Sequence, residues 1–119
     1  MAFGANGRNG IQRRKDIVYA AAPFCERFYI TNDDPINEKP EDIIAEVAAN
    51  TDKTGVPYEI IADRKECIEK AIRNLTEKDL LFITAKGNEC YIKIGGGVIP
   101  YEGDTNITLR MLEEKRVVL

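Results

Sequence analysis

The chain contains no histidine. That excludes His-based triads, imidazole general bases and His-ligated metals. Cysteine is scarce: Cys25, Cys67 and Cys90 are far apart, odd in number, and form no C-x-x-C pair. This usage fits reduced thiols in a cytosol rather than a disulfide frame or a zinc site. No apolar run approaches the ~20 residues of a membrane helix, and "MAFGANG" at the start is not a signal peptide. Positive charge is short as well, with 17 Lys and Arg against 20 Asp and Glu. A nucleic-acid binder usually carries a basic excess. Neither nucleic acid nor a membrane is therefore expected as a partner, and a cytoplasmic location is.

What is present is ordinary in amount and informative in order. A length of 119 residues suits one small domain, taken here as 1–119. No repeat, low-complexity tract or linker interrupts it. "MAF" reads as the tail of a strand, and "RFYIT" (27–31), "YEIIA" (58–62) and "DLLFITA" (79–85) as further strands. Residues 13–24 carry a helical stripe of Ile17, Val18, Ala21 and Ala22. "PEDIIAEVAAN" opens with a proline and two acids, the residue types that suit a first helical turn. "DRKECIEKAIRNL" opens with Asp63 as an N-cap and Glu66 three residues on. "CYIKIGGGVIPY" predicts a hairpin with a glycine turn at 95–97. "DTNITLRMLEEK" predicts a closing helix capped by Asp104.

Strands alternating with helices over short connections predict an α/β, Rossmann-like domain. It should have three layers: a mostly parallel sheet, helices on both faces, and the C-terminal hairpin. In such sheets ligands sit at the carboxyl ends of the strands. The loops there are "GANGRNG", "NDDPINE" and "AKGNE", and they collect on one edge. The edge is mixed in charge, with Arg8, Arg13 and Arg14 against Asp33, Asp34 and Glu89. A zwitterion with an extra charge suits it better than a phosphate. The adjacent pair Asp33–Asp34 needs a cation, a helix N-terminus or hydrogen bonds to take up its charge. Read without context, that pair also suits a plain strand-to-helix loop, since Asp and Pro are turn residues. Glu89 beside Lys86 also suits a local ion pair worth under ~1 kcal/mol.

Four stretches in register carry a family resemblance. "FGANGRNGIQRR", "TNDDPINEKPEDII", "ADRKECI" and "AKGNECYIKIGGGVIPYEGDT" resemble the C-terminal, glutamate ligase domain of Mur ligases. They are most similar to the branch that adds the third stem-peptide residue to UDP-N-acetylmuramoyl-L-alanyl-D-glutamate. The resemblance covers nearly the whole chain. It implies ATP-dependent amide formation in peptidoglycan synthesis: the D-glutamate γ-carboxylate is phosphorylated and the amine of a diamino acid attacks it. In the family, ATP, Mg and the UDP-linked muramoyl dipeptide are held mainly by two preceding domains. This chain has no G-x-x-x-x-G-K-[ST]. It also lacks sequence matching the family domain's first strand and helix. The expectation is therefore a fragment that binds no cofactor and no metal alone, has no catalytic residue of its own, is inactive alone, and dimerises through an exposed sheet edge.

The resemblance also assigns substrate-binding residues. Arg8 matches the arginine that pairs with a carboxylate of the amino acid, although Asn9 replaces the family's following Asp. The loop is about one residue longer than in many members, so the same contact is open to Arg13 or Arg14. Asp33 matches the first residue of the family's Asp-Asn-Pro-Arg stretch, with Asp34 in place of Asn and Ile36 in place of Arg. Glu89 matches an acid that faces a substrate amine. Lys86, Gly87 and Asn88 position its loop, with Ala85 in place of Gly and Asn88 in place of His. Isoleucine cannot make the bidentate pair with a distal carboxylate that arginine makes. The extra acids Asp34 and Glu38 favour an ammonium. L-lysine is therefore the expected amino acid, with ornithine and meso-diaminopimelate as alternatives. A non-catalytic amino-acid-binding module derived from such a ligase is the competing class.

Overall fold

The parallel ladder of the sheet begins with two residues, Ala2–Phe3 (β1), which pair with Phe28–Ile30 (β2) in the register Ala2↔Tyr29 and Phe3↔Ile30. Side chains alternate faces along a strand. Phe3, Phe28 and Ile30 therefore enter one core, and Ala2 and Tyr29 enter another. In the computed structural model, which describes residues 1–8 and 10–118, β2 also pairs in parallel with Tyr58–Ile60 (β3).

Each face has its helices. The helices Arg13–Ala21 (α1) and Pro40–Asp52 (α2) cover the phenylalanine face with Val18, Ile43, Ile44, Val47 and Ala48. Helix Arg64–Arg73 (α3) covers the other face with Cys67 and Ala71. The closing helix, Asp104–Val118 (α4), lies on α3 through Ile68, Ile72, Ile107 and Met111. The three-layer α/β reading holds. The hairpin, Tyr91–Ile94 (β4) with Gly97–Pro100 (β5), stands apart as a two-stranded antiparallel sheet.

Local signals explain most boundaries. Pro40 sits in the first turn of α2, where its missing N–H costs nothing, followed by Glu41 and Asp42. The Asp63 carboxylate accepts from the Glu66 backbone N–H at 2.9 Å and starts α3. α1 runs into a 3₁₀ turn at Ala22–Phe24, where Pro23 cannot continue the α pattern.

Three expectations need correction. "DLLFITA" is not a regular buried strand. Asp79 belongs to a turn, accepting from the Thr76 N–H and hydroxyl at 2.8 and 2.9 Å. Residues 82–84 lie beside β1 through one parallel bridge, Ala2↔Ile83, with Ala2 N–H donating to Phe82 O and Thr84 N–H to Ala2 O. Leu80 and Phe82 stay exposed at 79% and 59%. A run of apolar residues looks like a core strand in sequence, yet at a sheet edge only one side of it is covered. The glycine turn is also tighter than expected, because Gly97 already belongs to β5. Finally, Asp104 is the first residue of α4 rather than its cap, and its carboxylate is taken by Arg64 and Tyr101.

Candidate functional site

Three loops meet at the carboxyl edge of the sheet, and glycine lets them meet. A Cβ on Gly7 would lie 1.9 Å from Pro35 O, and one on Gly4 2.4 Å from Thr31 O. The 4–10 loop therefore lies directly on the 31–38 segment. The Gly7 N–H donates to Asp34 O at 2.9 Å, and the Arg8 N–H donates to the Glu38 carboxylate at 2.6 Å. Among the described residues, the glycines of this loop are packed against backbone of the 31–38 segment and of the loop itself.

Lys86 is the centre of the charge cluster. Its side chain is 0% exposed. Its Nζ donates to Asp34 Oδ1 at 2.7 Å and to Glu89 Oε1 at 3.1 Å, and lies 3.9 Å from Asp33 Oδ1. The Tyr91 ring lies 5.5 Å from the same ammonium. Burial works against the charged lysine, but the hydrogen bonds from Asp34 and Glu89 outweigh it and raise its pKa. Sequence placed Lys86 as a loop-positioning residue and as the local ion-pair partner of Glu89, and that pair is present. The intervening residue types give no signal that it reaches 52 positions back to Asp34.

The two aspartates differ. Asp34 is fully engaged: Oδ1 accepts from Lys86 and from the Lys93 backbone N–H at 2.9 Å. It ties the loop after β2 to the hairpin. Asp33 is buried too, yet among the described residues its carboxylate accepts no hydrogen bond. Burial raises its pKa, and the charges of Arg64 and Lys86 only partly oppose that. The ammonium of Lys86 at 3.9 Å is its one ion-pair partner among the described residues. Glu89 is the accessible acid of the cluster, with a side chain 39% exposed.

The remaining sequence candidates separate into two groups. Arg14 and Glu38 come together: Nη2 lies 2.7 Å from Glu38 Oε2, while Nη1 lies 2.6 Å from Glu46 Oε2. Arg14 is buried, and Glu38 is held below the usual carboxylate range by Arg14 and by the Arg8 backbone. These two charges are taken up internally, as a brace between α1 and α2. Arg8 and Arg13, by contrast, are exposed. Arg8 sits at φ 61°, in the left-handed region that favours glycine. Asn9 lies outside the described residues.

The loop after residues 82–84 is anchored at both ends. The Gly87 carbonyl accepts from the Thr105 hydroxyl and N–H at 3.0 and 3.3 Å, in the first turn of α4. The Glu89 N–H donates to Lys86 O at 2.9 Å, and Asn88 O faces the Cys90 thiol. Ala85 is held at φ 93° and Ile36 at φ 56°, conformations that favour glycine. Sequence reasoning missed Arg64. It is buried below Asp33 and uses its whole guanidinium on Asp104 and on two loop carbonyls. An arginine on the first turn of a helix opening with an N-cap looks like a solvent-facing residue, so sequence carried no signal for it.

Comparison with known proteins identifies the family of the chain. Residues 1–87 match the family described as Mur ligase, glutamate ligase domain. The chain is 34% identical over 102 residues, 86% of its length, to a UDP-N-acetylmuramoyl-L-alanyl-D-glutamate–2,6-diaminopimelate ligase of Caldanaerobacter subterraneus, covering 21% of that protein. It is 34% identical over 112 residues, 94% of its length, to a UDP-N-acetylmuramyl-tripeptide synthetase of Ligilactobacillus salivarius, covering 22% of that one. A solved UDP-N-acetylmuramoyl-L-alanyl-D-glutamate–2,6-diaminopimelate ligase superposes with a TM-score of 0.83 at 26% identity, over 97% of this chain and 23% of the other. The chain thus spans about a fifth of the length of the relatives it matches.

Proposed function

Because this chain belongs to the Mur ligase family, through its glutamate ligase domain, we propose that it is the part of a peptidoglycan ligase that receives the incoming diamino acid. The whole enzyme would join that amino acid to the D-glutamate γ-carboxylate of UDP-N-acetylmuramoyl-L-alanyl-D-glutamate, in the cytoplasm. ATP, Mg and the UDP-linked substrate would be held outside this chain, whose glycine-rich loop is filled by its own backbone. Alone it would bind but not ligate.

One observation carries the reading. Three carboxylates, Asp33, Asp34 and Glu89, surround one buried ammonium, that of Lys86. Asp34 is used by the protein. Asp33, together with Glu89, which accepts from Lys86 but keeps a side chain 39% exposed, would hold a ligand ammonium. Arg8 is the proposed clamp for the α-carboxylate, since Arg14 is committed to Glu38 and Glu46. Arg13 on the exposed first turn of α1 is the second choice.

L-lysine is the proposed amino acid. Ile36 offers no charge to a distal carboxylate, and the acids around Lys86 would repel one. Ornithine shares this chemistry with a shorter stem. The names of the relatives divide between a diaminopimelate ligase and a tripeptide synthetase, so the choice rests on Ile36 and the acids. The test is a ¹⁵N–¹H NMR titration of this chain with L-lysine, L-ornithine, meso-diaminopimelate and L-glutamate. Saturable shifts with L-lysine, centred on Arg8, Asp33 and Glu89, are expected. Ile36→Arg should transfer the preference toward meso-diaminopimelate. Stronger binding of meso-diaminopimelate by the unmodified chain would overturn the assignment, and silence toward all four would remove the proposal for the isolated domain.

A further inference from the structure

Two strand-end segments must be spaced correctly for Asp33 and the Lys86–Glu89 loop to face each other. One follows β2 and the other follows residues 82–84. They are not adjacent strands, because β1 lies between them. The ladder joins them only through β1 and stops at Thr31 and Thr84, so beyond its end no backbone bond between them fixes their separation. A side chain does.

Arg64, the first residue of α3, spans the gap. Nη1 donates to Asn32 O at 2.8 Å, immediately before Asp33. Nη2 donates to Thr84 O at 2.7 Å, two residues before Lys86. On its other side the guanidinium forms a fork with Asp104, Nε to Oδ1 at 2.9 Å and Nη2 to Oδ2 at 2.7 Å. The Tyr101 hydroxyl donates to the same Asp104 oxygen at 2.6 Å. Arg64 and Asp104 have side chains 1% and 6% exposed. The planar fork fixes the guanidinium in one orientation, which lysine could not do. The Asp104 charge offsets most of the arginine charge, so little of it is free to pair with a ligand carboxylate.

We propose that Arg64 is the positioning residue of the amino-acid site: clamped by Asp104, it bridges the Asn32 and Thr84 carbonyls and thereby sets the distance between Asp33 and the loop that carries Lys86 and Glu89. The proposal rests on the diamino-acid reading for its ligand, but the bridge itself does not. Arg64 touches no reacting atom. It acts through backbone on two loops and through charge on Asp33. The charged groups facing Asp33 are Arg64, Lys86, Asp34 and Asp104. The first two favour its ionised form and the last two oppose it.

That balance makes a test with opposite signs. The carboxyl titration of Asp33 is followed by ¹³C NMR in the 119-residue chain and two variants. Arg64→Met with Asp104→Leu removes both charges, an exchange that buried ion pairs often tolerate. It should move the Asp33 midpoint up, since Arg64 is the stronger of the two influences, and weaken L-lysine binding at least tenfold. Asp104→Asn leaves Arg64 uncompensated and should move the midpoint down. An unchanged midpoint in both folded variants would overturn the proposal. Should the double variant unfold, Asp104→Asn alone decides by the same criterion. A chain that binds none of the diamino acids would sink the proposed function, while the Asp33 titration would still decide the role of Arg64.

Discussion

Lys86 Nζ and Asp34 Oδ1 lie 2.7 Å apart across 52 residues of sequence, and both side chains are buried. This pair joins the loop after β2 to the loop after residues 82–84. It also answers what the adjacent aspartates hold: Asp34 holds the protein's own lysine, and Asp33 is left over.

Lys86→Met should cost about 3–5 kcal/mol, because it strands a buried carboxylate beside a second one. Urea denaturation measures it. The pair also sets an alkaline limit. The Lys86 pKa is raised above its ordinary 10.5, so its contribution is complete below that value and is lost as pH rises through the folded-state value. Burial and then Asp104 raise the Tyr101 pKa above its ordinary 10.0, which acts in the same direction. Burial also pushes the Cys67 thiol from 9.0 up to about 11, so stability should begin to fall above about pH 9 and fall further beyond about pH 10, and Tyr101→Phe should soften the fall.

Asp33 should behave as a ligand residue, not a structural one. Its pKa is raised by burial, so its ionised form opposes folding at neutral pH, and that penalty is relieved as pH falls through the raised value. Asp33→Asn should leave stability undiminished while reducing L-lysine binding at least tenfold. Affinity should fall on acidification at a pH above the ordinary carboxyl value of 3.8. Calorimetric titration over a pH series checks both. A variant that loses stability and binding together would contradict the assignment.

Backbone strain predicts a gain. Ala85 is exposed and held at φ 93°. Ala85→Gly should stabilise the domain by about 1 kcal/mol, seen as a higher denaturation midpoint. Gly7→Ala should do the reverse by about 2 kcal/mol or more, since its Cβ would meet a backbone carbonyl that cannot move aside.

The open edge predicts self-association. Residues 82–84 pair with β1 on one side, and among the described residues nothing pairs with the other. Leu80, Phe82 and Phe24 are exposed nearby. Such edges recruit a second strand. Sedimentation velocity should show mass rising with concentration, and Leu80→Lys with Phe82→Lys should abolish the rise. A strict monomer at all concentrations would remove the edge as a contact.

Much of the fold was legible because local chemistry dictates it. Pro40 with two acids started α2, Asp63 with Glu66 started α3, and a glycine run turned the hairpin. The 79–85 segment was misread because apolar composition does not reveal whether a strand is central or at an edge. The polar loops at the sheet edge were legible, and the pairing of their charges was not. Glycine-rich and acidic loops at strand ends marked Arg8, Asp33 and Glu89, but which charge meets which was not visible.

By itself, then, the sequence determined the alternation of strands and helices, the edge on which the polar loops gather, and the absence of any imidazole from this chain. These follow from periodicity, caps and residue type, which act within a few positions of chain. The tertiary structure decided the pairing. It gave Glu38 and Glu46 to Arg14, Asp34 to Lys86 and Asp104 to Arg64, over separations of 24 to 52 residues. Coulomb attraction has no register along a chain. Only burial, which makes every uncompensated charge costly, selects the arrangement in which, among the described residues, Asp33 is the one buried carboxylate without a hydrogen-bond donor.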